Sequence, residues 1–181
     1  MATTRSRLMS AARTCLLRDG YAGTTVRDLV AESGTNQASI NYHFGSKDEL
    51  LNSVLFELNS EWGDLLFGAL AAEPPGTDPE RRWARVIESI RANTGLWYLN
   101  FEAVALAQHD EAIRAGLAER GAAARRALAH AFAGLDEASA SAEQIRAVGS
   151  RYYGLLIGVA LQLITDPDSA PRSADLTADG S

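Results

Sequence analysis

An all-α fold is expected for this chain of 181 residues, on three observations. Ala, Leu, Arg and Glu dominate, and all are good helix formers. Apolar residues recur at spacings of three and four, and no long run alternates β-branched with polar residues. Ser, Thr, Asp and Gly fall where helices must begin and end. Apolar residues make up 46% of the chain, which is enough for a packed core and excludes general disorder.

A first helix is expected from about Thr4 to Arg18, ending near Gly20, with Leu8, Ala11, Ala12, Cys15 and Leu16 as its apolar stripe. Thr25-Val26-Arg27-Asp28 has the form of a capping box and opens a second helix that stops at Gly34. A short third helix spans about Gln37 to Phe44, and Gly45 ends it. Ser46-Lys47-Asp48-Glu49 is a second capping box, opening a fourth helix to about Ala71 with Leu50, Val54, Leu58, Leu65 and Leu66 apolar. Pro74-Pro75-Gly76 is the clearest break in the chain. Further helices are expected over about Pro79–Thr94, Leu96–Gln108, Asp110–Ala133 and Ala142–Thr165. The last residues, rich in Asp, Ser, Pro and Ala, read as a loose tail with at most one short turn.

Charge and composition narrow the function. The net charge is −6, but residues 1–50 hold six Arg and Lys against five Asp and Glu, a balance of +1. The acidic excess lies wholly in the remainder. The single cysteine, Cys15, excludes an internal disulfide and fits a reducing cytosol. Arg13 and Arg18 interrupt any apolar run that could serve as a signal peptide. The longest apolar stretch, Tyr152 to Ile164, is shorter than the roughly 20 residues of a membrane span. A soluble cytoplasmic protein without a membrane partner is expected.

The second and third helices, separated by Ser33-Gly34-Thr35-Asn36, make a helix-turn-helix. In such a pair the second helix lies in the major groove of DNA. Ile40 and Phe44 are its inward face, with Val26 and Leu29 of the preceding helix as core partners. Gln37, Ser39, Asn41, Tyr42 and His43 form a polar surface that a helix this short does not need for stability.

The run from Thr24-Thr25-Val26-Arg27-Asp28-Leu29-Val30-Ala31 through Gly34 to Ala38-Ser39-Ile40-Asn41-Tyr42-His43-Phe44-Gly45-Ser46-Lys47-Asp48-Glu49-Leu50-Leu51 resembles the N-terminal signature of the tetracycline-repressor (TetR) family. The resemblance covers roughly residues 5–55. It implies a three-helix helix-turn-helix DNA-binding domain followed by a larger helical ligand-binding and dimerisation domain. The expected boundaries are 1–47, 48–166 and a tail over 167–181. Carried over residue by residue, it implies that Gln37, Ala38 and Ser39 touch base edges or adjacent phosphates. It also implies that Tyr42 and His43 touch backbone or bases, and that Thr25 and Arg27 approach the backbone. Lys47, the only lysine, matches a phosphate contact. Asn41 departs from the family, which usually has an aromatic residue there. Asn can pair bidentately with adenine.

Residues 50–165 show no catalytic constellation, metal-ligand spacing or phosphate-binding loop, so an enzyme is not expected, nor any cofactor or metal. All three tryptophans fall there. Trp62, Trp97, Phe101 and Tyr152 are the candidate lining of a ligand pocket, with Asn59, Glu102 and Gln162 as polar anchors. The helix around Tyr152–Leu161 is apolar all round and needs cover on both sides. Ala123, Ala127, Leu128, Gly154, Ile157, Gly158 and Leu161 are therefore the candidate dimer interface. The expected function is a homodimeric repressor that a small-molecule effector releases from operator DNA. The alternative is a helical small-molecule-binding protein that has lost DNA binding.

Overall fold

The computed structural model describes residues 3–71, 73 and 77–177, so the Pro74-Pro75-Gly76 break lies outside the described residues. Eight α-helices follow in order: α1 (Thr4–Gly23), α2 (Val26–Ser33), α3 (Gln37–Phe44), α4 (Lys47–Ala71), α5 (Pro79–Ala92), α6 (Thr94–Leu106), α7 (Glu111–Ala133) and α8 (Ala142–Thr165). A 3-10 turn occupies Ser173–Leu176, and no strand occurs among the described residues. α3 and α8 have the expected bounds. α1 runs past the expected stop because Gly20 (φ 72°, ψ 179°) kinks it without ending it. Only glycine takes that conformation at no steric cost.

The chain forms two compact units: Met1–Glu61 with Tyr98–Arg114, and Trp62–Trp97 with Ala115–Ser181. In the first, α1 packs on α2 and α3. Leu8, Ala11, Ala12, Cys15 and Leu16 are buried, as are Leu29 of α2 and Ile40 of α3. Leu50, Leu51, Val54, Leu55 and Leu58 of α4 extend this core. Each such side chain contributes about 1.5–3 kcal/mol by leaving water. Val26 and Phe44, expected in the core, are only half-buried. The Arg5 guanidinium lies 5.1 Å above the Phe44 ring, so this edge is closed by a cation rather than by apolar packing. Arg7 donates to the carbonyls of Ser33 and Gly34 at 2.6 and 2.8 Å, satisfying the end of α2 from α1.

In the second unit, α5 turns Trp83, Val86, Ile87 and Ile90 inward, and α8 contributes Leu156, Val159, Ala160 and Leu163. α7 and α8 approach closely at Gly149, where an added Cβ would overlap the Arg125 carbonyl oxygen. Residues beyond α8 carry the 3-10 turn, which lies against α5. Leu65, though apolar, is 71% exposed, because the inward face of α4 there passes through Trp62, Leu66 and Leu70. One expectation needs correcting. Leu128 is wholly buried within its own chain and offers nothing to a partner surface. α8 leaves an outward face of Gly154, Leu155 and Leu161, flanked by half-buried Ile157 and Gly158. By length and composition α8 could cross a membrane, and only 28% of its most apolar window is buried.

Candidate DNA-binding surface and effector site

The helix-turn-helix is built from its caps. The Thr25 hydroxyl accepts the Asp28 N–H, and the Asp28 carboxylate accepts the Thr25 N–H at 3.0 Å. These bonds from Thr25 hold the Asp28 carboxyl below its ordinary range. Gly34 ends α2 in the left-handed conformation (φ 60°), donating to the Val30 carbonyl. Asn36 then starts α3: its Oδ1 accepts the Ser39 N–H at 2.9 Å and the Ser39 hydroxyl at 3.1 Å. Asn36 is therefore a structural residue of the turn, and Asn directly before a helix is the sequence signal for such a cap.

α3 buries Ile40 alone. Gln37, Ala38, Asn41 and Tyr42 are exposed together, at i, i+1, i+4 and i+5, along one side of the helix. Tyr42 is 85% exposed and stands edge-on to His43, with ring centres 4.9 Å apart. Tyr42 thus stands clear of the core, on the same exposed side of α3 as Gln37, Ala38 and Asn41. Thr25 and Arg27 are exposed on α2. Ser39 is half-buried with its hydroxyl engaged by Asn36. Lys47 is also held: Nζ donates to the Thr24 carbonyl at 3.2 Å, lies 3.5 Å from Asp48 Oδ1, and sits 6.0 Å above the Tyr21 ring. An ammonium has three donors, so this anchoring leaves capacity for a further anion.

The pocket candidates do not form one cluster. Trp62 and Trp97 meet edge-to-face with ring centres 4.7 Å apart, and Phe67 adds an edge contact to Trp62 at 6.5 Å. Both tryptophans are more than nine-tenths buried, and Trp62 Nε1 has no hydrogen-bond partner among the described residues. Tyr152 belongs to a different stack, at 4.8 Å from Phe132, which in turn lies 4.8 Å from Trp83. Gln162 is exposed and donates to the Gly158 carbonyl. Asn59 is buried and donates to the Leu55 carbonyl of its own helix. Phe101 is half-buried. Glu102 has both carboxylate oxygens occupied, accepting the Tyr21 N–H at 2.8 Å and the Ala22 N–H at 2.9 Å. The same segment reaches Tyr21 a second time. The Tyr21 hydroxyl donates to Asn52 Oδ1 at 2.8 Å, and Asn52 Nδ2 donates to Asp110 Oδ2 at 3.2 Å. Burial pushes the Tyr21 phenol well above its usual range.

Residues 8–54 match the family model for bacterial regulatory proteins of the tetR family. The HTH-type transcriptional repressor Rv3405c of Mycobacterium tuberculosis is 33% identical over 66 residues, 36% of this chain and 35% of that protein. The HTH-type transcriptional repressor AcnR of Corynebacterium efficiens is 38% identical over 53 residues, 29% of this chain and 28% of that protein. The matched stretch thus spans about a third of these curated relatives. Among solved structures, the multidrug binding protein EbrR complexed with imidazole superposes with a TM-score of 0.72 at 23% identity, covering 96% of this chain and 90% of its own. A TetR transcription regulator from Haloarcula marismortui gives 0.68 at 21% identity, covering 96% and 90%. These likenesses extend the common fold over nearly the whole chain. The match to the tetR family of bacterial regulatory proteins thus covers the stretch that holds the capped helix-turn-helix.

Proposed function

We propose that this chain is a homodimeric transcriptional repressor that binds operator duplex through α3 and is released by a small aromatic effector. The observation that carries the reading is α3 itself. Eight residues bury one side chain and present Gln37, Ala38, Asn41 and Tyr42 outward from a scaffold fixed by four caps and turns. Groups that read base edges belong on such a rigid, exposed helix. The dimer reading is supported by the uncovered apolar face of α8, where Gly154 and Gly158 have open space around them for a close-packed second helix. The effector reading is supported by the Trp62–Trp97 pair, since a buried indole N–H without an acceptor would be satisfied by a polar ligand atom. EbrR, which shares the fold, has also been solved with proflavin. A planar aromatic ligand of that kind suits an edge-to-face tryptophan pair.

Selection from a pool of randomised duplexes tests this. Enrichment of palindromic sites with half-sites about 34–36 Å apart, bound more weakly as salt rises, is the expected result. Absence of any enriched sequence at low salt overturns the DNA-binding reading in favour of a ligand-binding protein without DNA. Quenching of tryptophan fluorescence by proflavin, lost in Trp62→Phe, is the expected result for the effector site.

A further inference from the structure

We propose that Glu102 is a positioning residue for DNA binding: α6 holds the kinked end of α1 through this carboxylate. The inference rests on the DNA-binding reading above. Gly20 breaks the helical conformation of α1, and the next two amides, Tyr21 and Ala22, both donate to Glu102 across some eighty residues of sequence. The fit is tight: a Cβ on Gly20 would lie 3.2 Å from Glu102 Oε2. Tyr21 is therefore gripped twice from the 98–114 segment, at its amide by Glu102 and at its hydroxyl through Asn52 and Asp110. Tyr21 also lies under Lys47, and the Lys47 ammonium holds the Thr24 carbonyl at the entry to α2. The double grip thus fixes the residues from which the helix-turn-helix departs.

Hydrogen bonds of 2.8 and 2.9 Å lose most of their strength once stretched by about 1 Å, so a small displacement releases both together. Neither bond alters the outward face of α3, so the grip governs how often the domain is correctly placed, not which sequence it reads.

The test compares wild type with Glu102→Gln, which keeps the shape and one acceptor, and Glu102→Ala, which keeps neither. Hydrogen exchange at the Tyr21 and Ala22 amides, helix melting, and titration of the duplex enriched by the wild-type protein are read in parallel. The expected result is faster exchange at those two amides and an affinity lower by roughly 5- to 50-fold, within the range of typical site–site coupling. Ala should be worse than Gln, and the salt slope unchanged because no phosphate contact is lost. Faster exchange with unchanged affinity overturns the proposal and leaves Glu102 a structural cap. Unchanged exchange overturns it as well. Failure of the wild type to bind any duplex removes the underlying reading, an outcome distinct from both.

Discussion

Gly149 and Gly68 show how differently two helical glycines act. At Gly149 the α7 backbone is so close that a methyl group would overlap the Arg125 carbonyl oxygen, whereas nothing lies within 4 Å of a Cβ at Gly68. Gly149→Ala should force the helices apart and cost about 1–3 kcal/mol or more. Gly68→Ala should gain up to about 1 kcal/mol of helix propensity. Opposite shifts of the thermal midpoint check the pair. Titration acts at this scale too. Thr25 depresses the Asp28 carboxyl, and Arg13, which bonds Glu61 across to α4, depresses the Glu61 carboxyl. Groups with lowered folded pKa values stabilise fully above the ordinary carboxylate range of about 4, and lose that contribution as pH falls through the folded values. Urea midpoints should therefore fall below about pH 4, and Asp28→Asn should flatten the fall.

At the scale of the element, α3 separates reading from holding. Asn41 lies on the exposed face, with no side-chain bond within the described protein to satisfy it. Asn41→Ala should change which bases are preferred at one position of the half-site, by about 1–3 kcal/mol of discrimination. Arg27→Ala should weaken all sequences alike and reduce the salt slope by about one. A uniform loss with Asn41→Ala would refute direct readout by that residue; parallel selections on the two variants decide it.

Much of this element was legible because caps are local. Thr25 with Asp28, and Gly34 after α2, state in four to ten residues where the chain must start and stop a helix. The Gln37–Phe44 and Ala142–Thr165 bounds follow from the same local chemistry. The proposed effector site was not legible. Glu102 reads in sequence as a free carboxylate beside aromatics, and only the fold brings it to amides eighty residues away. Tyr152 and Trp62 look alike as aromatic residues on helices, yet they end in separate stacks. Gly149 looks like Gly154 and Gly158, and only the helix crossing tells them apart.

For the whole molecule, the proposed dimer links the charge distribution to the uncovered α8 face. The balance of +1 over residues 1–50 against −7 over the rest leaves the first fifty residues the part of the chain that least repels a polyanion. Pairing two chains through α8, as proposed, would give the assembly two such segments. Gly158→Arg should leave helix content and melting nearly unchanged, since an added side chain there has open space around it in the single chain. It should convert the protein to a monomer by light scattering and reduce operator affinity to that of one half-site. A variant that stays dimeric would place the contact elsewhere.

Lys47 has one more consequence, because it is the chain's single lysine. Amine-selective reagents can attack only there and at the α-amino group, so acylation labels one defined corner beside the helix-turn-helix. Its side chain is 29% exposed and already tethered to Thr24, so its reaction rate would report how firmly that corner is closed. A bound duplex would slow the labelling, and release of the Tyr21 corner would speed it. The sequence thus supplies a built-in reporter that needs no engineered cysteine and no attached dye.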